Sequence, residues 1–392
     1  MELKQALDRW TDKILPSRED FERALEKNKL TIYHGVDPTG PDLHLGHSTN
    51  YLLMHALQDS GHKIILLMGT FTALIGDASD KTETRKRPTK EEIEKNLRTY
   101  KAQAGKILRF EGENPVEIKF NANWLSKLTF EDVIELSAEF TVQQMIERDM
   151  FQKRLSENKP LYLHELLYPL AQGYDSVAMD VDVEIGGTEQ TFNMLVGRTL
   201  VKSHLNKEKF VISTPLLINP KTGVKMMSKT LGNYISLQDE PNNMFGKIMA
   251  LPDETIIPCL SMCTTIQTEE IENLEEELKT DPMKIKKILG LEIVKMYHNE
   301  KESQEAQKEW ELTFQKGQIP QATQTYVYTS GATITQVLVD SGTVSSNSEA
   351  RRLVQQGAVE WQGSKINDPN TVIPEPGTVR AGKHKFIKLE EK

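Results

Sequence analysis

An α/β fold, a parallel sheet wound by helices on both faces, is predicted for the first 230 residues of this 392-residue chain. Three observations predict it. Short apolar runs alternate with helical patterns from residue 30 to about 220. One of those runs, Ile64–Met68, is apolar on both faces, as an interior parallel strand must be. Strand signals then vanish between Leu231 and Phe314 and return only in the tail. The expected organisation is therefore a Rossmann-like doubly wound parallel sheet at 1–230, an α-helical domain at 231–320 and a small α+β domain at 321–392.

The strands are expected at Thr31–Val36, Ile64–Met68, Val116–Phe120, Val181–Ile185 and Phe210–Thr214. After the first strand comes the turn Asp37-Pro38-Thr39-Gly40-Pro41, and a helix is expected to begin near Leu43. Thr89 and Glu92 form a capping box, followed by Ile93, Leu97, Tyr100, Ala104 and Leu108 at helical spacing. Phe130–Met150 repeats the helical pattern behind Thr129. Further on, Thr268–Lys279 and Pro282–His298 read as helices, and the Gln/Thr-rich stretch Gln315–Thr329 as a linker. In the tail, Ser346 to Glu349 cap a short helix, Ala350–Gln356, which Gly357 ends. Val359 and Trp361, a turn at 362–364, and Ile366 follow as a hairpin.

Charge and composition exclude several classes. With 48 Lys+Arg against 57 Asp+Glu, the net charge is −9. That argues against nonspecific nucleic-acid binding and against a DNA partner, but a local basic face still suits RNA. The tail, 321–392, carries 8 Lys+Arg and 7 Asp+Glu while the rest of the chain carries −10, so the tail is the expected RNA-binding face. No apolar run approaches the roughly 20 residues that cross a bilayer, and Met1–Trp10 lacks a signal-peptide pattern. A cytoplasmic protein is expected. Cys259 and Cys263, four apart with no second ligand pair nearby, read as buried thiols rather than a zinc site or disulfide.

Four segments carry candidate chemistry. A strand, a Pro/Gly turn and a helix start form an anion site, because the first helical N–H groups lack partners and the dipole favours negative charge. His44 and His47 lie there three apart, and Gly46 admits close approach of a ligand. Nucleotide phosphate is the expected ligand. A metal site is not expected, since the histidines are not i, i+4 and no carboxylate ligand accompanies them. The second segment, Gly223 to Asn233, holds Lys225, Ser228, Lys229 and Thr230. Its lysines can neutralise a leaving pyrophosphate, although alone it reads as a solvated basic loop. In the third, Gly186 and Gly187 end a strand and Glu189 offers acceptors for a ribose diol; a plain strand-to-helix turn is the alternative. In the fourth, Tyr168, Gln172 and Asp175 fall on one helix face, a pocket wall or an amphipathic surface, with Asp77 placed to join them.

Together these residues resemble a class I aminoacyl-tRNA synthetase, specifically the bacterial-type tyrosyl-tRNA synthetases. His44-Leu-Gly-His47 is similar to the HIGH signature and Met227-Ser-Lys-Thr230 to the end of KMSKS, in the family's order. The resemblance runs from about residue 30 to the end, and the tail resembles a small RNA-binding fold shared with a ribosomal protein. It implies that Tyr33 and Asp175 hold a phenolic hydroxyl, that Tyr168, Gln172 and Asp77 hold an ammonium, and that Gln190 contacts the amino acid or its carboxylate. Thr39, His44, Gly46, His47, Gly187, Glu189 and Lys229 are then the ATP-binding set, with Lys225, Lys229 and Thr230 closing on pyrophosphate. ATP with Mg²⁺, tyrosine and tRNA(Tyr) are the implied substrates and partners, with no prosthetic group, and a homodimer is implied, with Phe130–Met150 as candidate interface. Two positions depart from the family: Glu189 stands where Asp is usual, and Met226 where the first KMSKS lysine falls, with Lys225 one place earlier. A tryptophanyl relative and a non-catalytic RNA-binding protein are the rival readings.

Overall fold

The computed structural model describes residues 2–77, 89–227, 234–315, 324–344, 346–382 and 385–392. Its first sheet contains β1 (Lys13–Leu15), β2 (Thr31–Val36), β3 (Lys63–Met68), β4 (Glu117–Phe120), β5 (Val183–Gly187) and β6 (Phe210–Thr214). Their order is β1-β6-β5-β2-β3-β4, parallel except for β1, which pairs antiparallel with β6. The five expected strands are all present, with ends moved by one or two residues. β1 escaped the sequence because three residues are too few to show a period. β3 is buried along Ile64–Met68, as its apolar composition required. The chain runs outward from β2 through β3 and β4, then returns to lay β5 on the other side of β2. That reversal makes the carboxyl ends of β2 and β5 a switch point, where open α/β sheets bind ligands.

Three expectations about helices need correction. The helix expected near Leu43 begins at Ser48 (Ser48–Asp59), after a 3-10 turn at Leu45–His47. The cause is backbone competition: Leu45 N–H donates to Ile235 O at 3.1 Å and Leu237 N–H to Leu43 O at 2.9 Å. These groups are committed to a short ladder and cannot start a helix. Phe130–Met150 is not one helix but Phe130–Ala138, Val142–Ile146 and the start of Asp149–Ser156. Thr141 accepts from Gln144 N–H, in a second capping box that restarts the chain where a continuous helix was expected. The tail helix begins three residues early, as Asn347–Gln355, because Ser346 is itself the cap. By contrast, Thr89 caps Lys90–Ala104 through the expected box with Glu92.

The chain divides into two compact units, Met1–Asp239 with Leu251–His298, and Glu240–Ala250 with Asn299–Lys392. The first adds the helices Ile256–Cys263, Thr268–Leu278 and Pro282–Tyr297 to the six-stranded sheet. Cys259 and Cys263 are buried free thiols on the first of these. In the second unit, Pro241–Met249 and Glu300–Trp310 pack together through Phe245 and Trp310, ring centroids 6.3 Å apart. Its sheet, in the order β7-β11-β10-β8-β9, joins β7 (Gln324–Tyr328), β8 (Val359–Trp361), β9 (Ser364–Lys365), β10 (Gly377–Ala381) and β11 (Lys385–Glu391). The expected linker therefore ends in a strand: β7 pairs parallel with β11, Tyr326 opposite Leu389, and Tyr328 is buried in the local core with Val379 and Ile387. Among the described residues no helix is long and apolar enough to cross a membrane.

Candidate active site

A cleft of about 380 Å³ opens at the switch point. Every site residue expected from the sequence and described by the structure lines it: Tyr33, Thr39, His44, Gly46, His47, Asp77, Tyr168, Gln172, Asp175, Gly187, Glu189, Gln190 and Lys225. Lys229 and Thr230 lie outside the described residues, as does Ser228. The HxGH turn and the start of the second signature, Met227, line the same cleft. His44 bridges Ser236, so the ladder that displaces the helix start also draws residues 234–237 against the HxGH turn. On the near side, Lys225 bridges Ile218 in a hairpin leading out of β6, and Met227 takes a left-handed φ of 59°.

The HxGH turn and the turn that bears Thr39 form one side of the cleft. Gly46 N–H donates to His44 Nδ1 at 3.2 Å, so a neutral His44 carries its proton on Nε2. The His44 and His47 rings are tilted by 42° with centroids 4.0 Å apart, and His44 N–H reaches His47 Nδ1 at 3.1 Å. The turn bearing Thr39 is pinned from the Lys90–Ala104 helix: Asn96 donates to Pro38 O at 2.9 Å and Tyr100 to Gly40 O at 2.6 Å. Lys225 Nζ lies 3.3 Å from Glu189 Oε1, which ties together two positions singled out in the sequence. Glu189 Oε2 is buried with no hydrogen-bond partner among the described residues. Nor, among the described residues, does any group of three or more His, Cys, Asp or Glu side chains stand ready to hold a metal ion.

The opposite side is a buried polar pocket under the Leu163–Ala178 helix, whose one face carries Tyr168, Gln172 and Asp175 as expected. Asp175 accepts from Trp124 Nε1 at 2.7 Å and Asn121 Nδ2 at 3.1 Å. Burial pushes its carboxyl well above the ordinary range, and those two donors oppose the rise. The Tyr33 hydroxyl, fully buried, is 2.9 Å from Ser176 Oγ. Tyr168 donates to Asp37 Oδ2 at 2.9 Å, and Gln190 Nε2 donates to Asp77 Oδ2 at 2.6 Å. Burial and the adjoining Asp37 hold the Tyr168 phenol in its neutral form.

Comparison with known proteins decides the family. Residues 25–315 match the family described as tRNA synthetases class I (W and Y), and residues 311–388 match a tyrosine–tRNA ligase C-terminal domain. The tyrosine–tRNA ligase of Thermotoga maritima is 42% identical over 381 residues, covering 96% of this chain and 94% of that protein. The chain belongs to the tyrosine–tRNA ligase family. A second member, from Carboxydothermus hydrogenoformans, is 41% identical and is covered over 98% of its length, as is 99% of this chain. The fold also matches solved tyrosyl-tRNA synthetases. A C-terminally truncated mitochondrial enzyme of Aspergillus nidulans gives a TM-score of 0.67 at 21% identity, covering 80% of this chain and 94% of that one. One from Archaeoglobus fulgidus, complexed with L-tyrosine, gives 0.60 at 20%, covering 78% and 98%.

Several residues of the tyrosine–tRNA ligase cleft went unassigned from the sequence. Asp37 links Tyr168 to Thr72, whose hydroxyl donates to its Oδ1 at 2.7 Å. A Cβ at Gly69 would stand 2.0 Å from that same oxygen, so this glycine makes room for the carboxylate. Asn121 and Trp124 follow β4 and carried no motif. His34 Nδ1 donates to Ile185 O, 2.8 Å away, because a carbonyl only accepts, and burial lowers the pKa of the imidazole. The one local signal was position: Asp37, Gly69 and Asn121 each stand just past a strand's carboxyl end, while His34 lies within β2.

Proposed function

We propose that this chain activates tyrosine with ATP and transfers it to tRNA(Tyr). The observation that carries the reading is one cleft that the HxGH turn and Lys225 to Met227 line together with a buried polar pocket suited to a phenol. Tyrosine lies with its hydroxyl between Tyr33 and Asp175 and its ammonium near Tyr168, Gln172 and Asp77; Gln190 meets its carboxylate end. Thr39, His44, Gly46 and His47 face the ATP phosphates, with Gly187 and Glu189 on the ribose side. The ionised tyrosine carboxylate attacks the α-phosphorus, the bond to the β-phosphate oxygen breaks, and pyrophosphate leaves. A ribose hydroxyl at the tRNA 3′ end then attacks the tyrosyl carbonyl, loses its proton and releases AMP. No protein nucleophile is required, so rate comes from positioning and from the groups that meet the leaving pyrophosphate, the cations Lys225 and Lys229 and the Thr230 hydroxyl. Magnesium travels with ATP, whose phosphates supply the oxygen ligands it prefers.

The tail supplies the RNA-binding surface, the reaction is cytoplasmic, and the working form is a homodimer. In support of the dimer, Phe130 and Ile134, one helical turn apart, are 81% and 55% exposed, and Val142 is 64% exposed. ATP–pyrophosphate exchange with each amino acid in turn tests the central reading. Tyrosine-dependent exchange is expected. Tryptophan-dependent exchange transfers the reading to the sister activity, and exchange with no amino acid leaves an RNA-binding protein.

A further inference from the structure

Beneath the cleft lies a buried ion pair that the reaction described above does not use. Lys209, immediately before β6, and Glu184, on β5, are 0% and 2% exposed. Every proton of the ammonium has an acceptor: Glu184 Oε2, Ser176 Oγ at 2.7 Å and Met194 O at 3.3 Å. Space for it is made by Gly197, where a Cβ would stand 2.5 Å from Nζ. A pair this deep survives only when fully satisfied, and replacing it by apolar side chains is often harmless to stability. Its neighbours therefore matter more than its strength.

Glu184 lines the cleft, and Lys209 lies behind it, with Nζ 5.8 Å from the Tyr33 ring centroid. Glu184 Oε1 accepts from Gln172 Nε2 at 2.9 Å. An ionised carboxylate only accepts, so the Gln172 amide must turn its NH₂ inward. Its carbonyl oxygen then points the other way, where Asn193 Nδ2 donates to it at 2.9 Å. That oxygen is the end an ammonium requires. Lys209 only donates, so it fills one lone pair of Ser176 Oγ. Ser176 Oγ has two other neighbours, the Tyr33 oxygen at 2.9 Å and Glu184 Oε2 at 3.4 Å, and the arrangement proposed below places its proton on the nearer of them, Tyr33. This leaves the Tyr33 proton for a ligand, opposite the acceptor Asp175. Strand register sustains the arrangement, since Tyr33 and Glu184 are direct partners across β2 and β5.

We infer that Glu184 and Lys209 are positioning residues for amino-acid recognition, fixing which end of the Gln172 amide and which side of the Tyr33 hydroxyl the substrate meets. The inference rests on the tyrosine reading of this pocket. In E184Q the new amide faces a lysine that only donates, so its oxygen turns to Lys209 and its NH₂ to Gln172. Gln172 must then reverse and present NH₂ to the substrate ammonium.

The test is ATP–pyrophosphate exchange with the full chain, reading KM for tyrosine and for ATP separately. E184Q is expected to raise the tyrosine KM by about tenfold or more, the loss of one hydrogen bond to a charged group, with the ATP KM unchanged. In E184Q/K209M neither end of the new amide is dictated, so the tyrosine KM should fall between wild type and E184Q. The double variant carries no unpaired charge and decides the matter if E184Q does not fold. A wild-type tyrosine KM in the variants, or equal changes in both KM values, overturns the inference alone. Absence of tyrosine-dependent exchange in the wild type overturns the tyrosine reading and the inference with it.

Discussion

At the scale of single residues, Tyr33 and Asp175 are the two groups proposed to recognise the substrate hydroxyl, and both are buried in the cleft. Asp175 is already engaged by Trp124 and Asn121, which leaves it an acceptor, while Tyr33 is held through Ser176. A phenylalanine in this pocket leaves buried polar groups unpaired, and that penalty is the source of selectivity. Tyr33→Phe is expected to reduce the preference for tyrosine over phenylalanine by about tenfold, read as the ratio of kcat/KM values in exchange; an unchanged ratio would remove Tyr33 from hydroxyl recognition. The two departures from the family pattern meet in space as well. Glu189 and Lys225 form an ion pair at 3.3 Å, so the longer carboxylate and the displaced lysine are placed to compensate each other. These side chains were individually legible because each sits in a short motif. Glu184, Lys209, Asn121 and Asp37 were not, because a polar residue inside an apolar strand or at either end of it has no local signature; its partners are elsewhere in the chain.

Elements are joined here by charged staples as much as by apolar faces. Arg154, on Asp149–Ser156, forms a bidentate pair with Glu165 at 2.7 and 2.9 Å, in the first turn of the helix that carries the pocket wall. Burial pushes the Glu165 carboxyl up, but the bonds from Arg154 and Tyr162 N–H outweigh it, and the group titrates below its ordinary value of 4.5. Its stabilising contribution is therefore complete above pH 4.5 and is lost as pH falls through the lower folded-state value. Glu165→Gln is expected to cost about 3 kcal/mol at pH 7 and to flatten the acid limb of the stability curve, both measured by urea unfolding between pH 3 and 7. Equal acid sensitivity in the two proteins would contradict this. Element type was legible wherever a period or a cap was strong. Starts and stops were decided by competition: the ladder at 43–45 delays one helix, and Thr141 divides another.

Across the whole molecule, two units divide the chain in a way that does not follow sequence order, since Pro241–Met249 is grouped with residues 299–392. The second unit's C-terminal part has a core of its own, with Ile334, Leu338, Val354 and Ile387 buried together, and carries the least acidic stretch of the protein. The first leaves Phe130 and Ile134 open to solvent on one helix face. Ile134→Glu is expected to convert a dimer to a monomer in sedimentation velocity at micromolar concentration, because a charge buried in such a contact finds no partner. A wild-type monomer, or a variant that sediments as the wild type does, would exclude this face as the interface.

By itself the sequence determined the strand–helix alternation, both signatures, the polar face of the pocket helix and the contrast in charge between tail and body. All of these are properties of neighbouring residues, governed by periodicity and local hydrogen bonding. Tertiary structure alone decided where the first helix begins, that the Gln/Thr-rich stretch ends in a strand, and that Lys209 lies beneath the cleft. It also decided which end of Gln172 faces Glu184. Each of these depends on a partner distant in the chain, and only folding brings a donor from one segment to an acceptor in another.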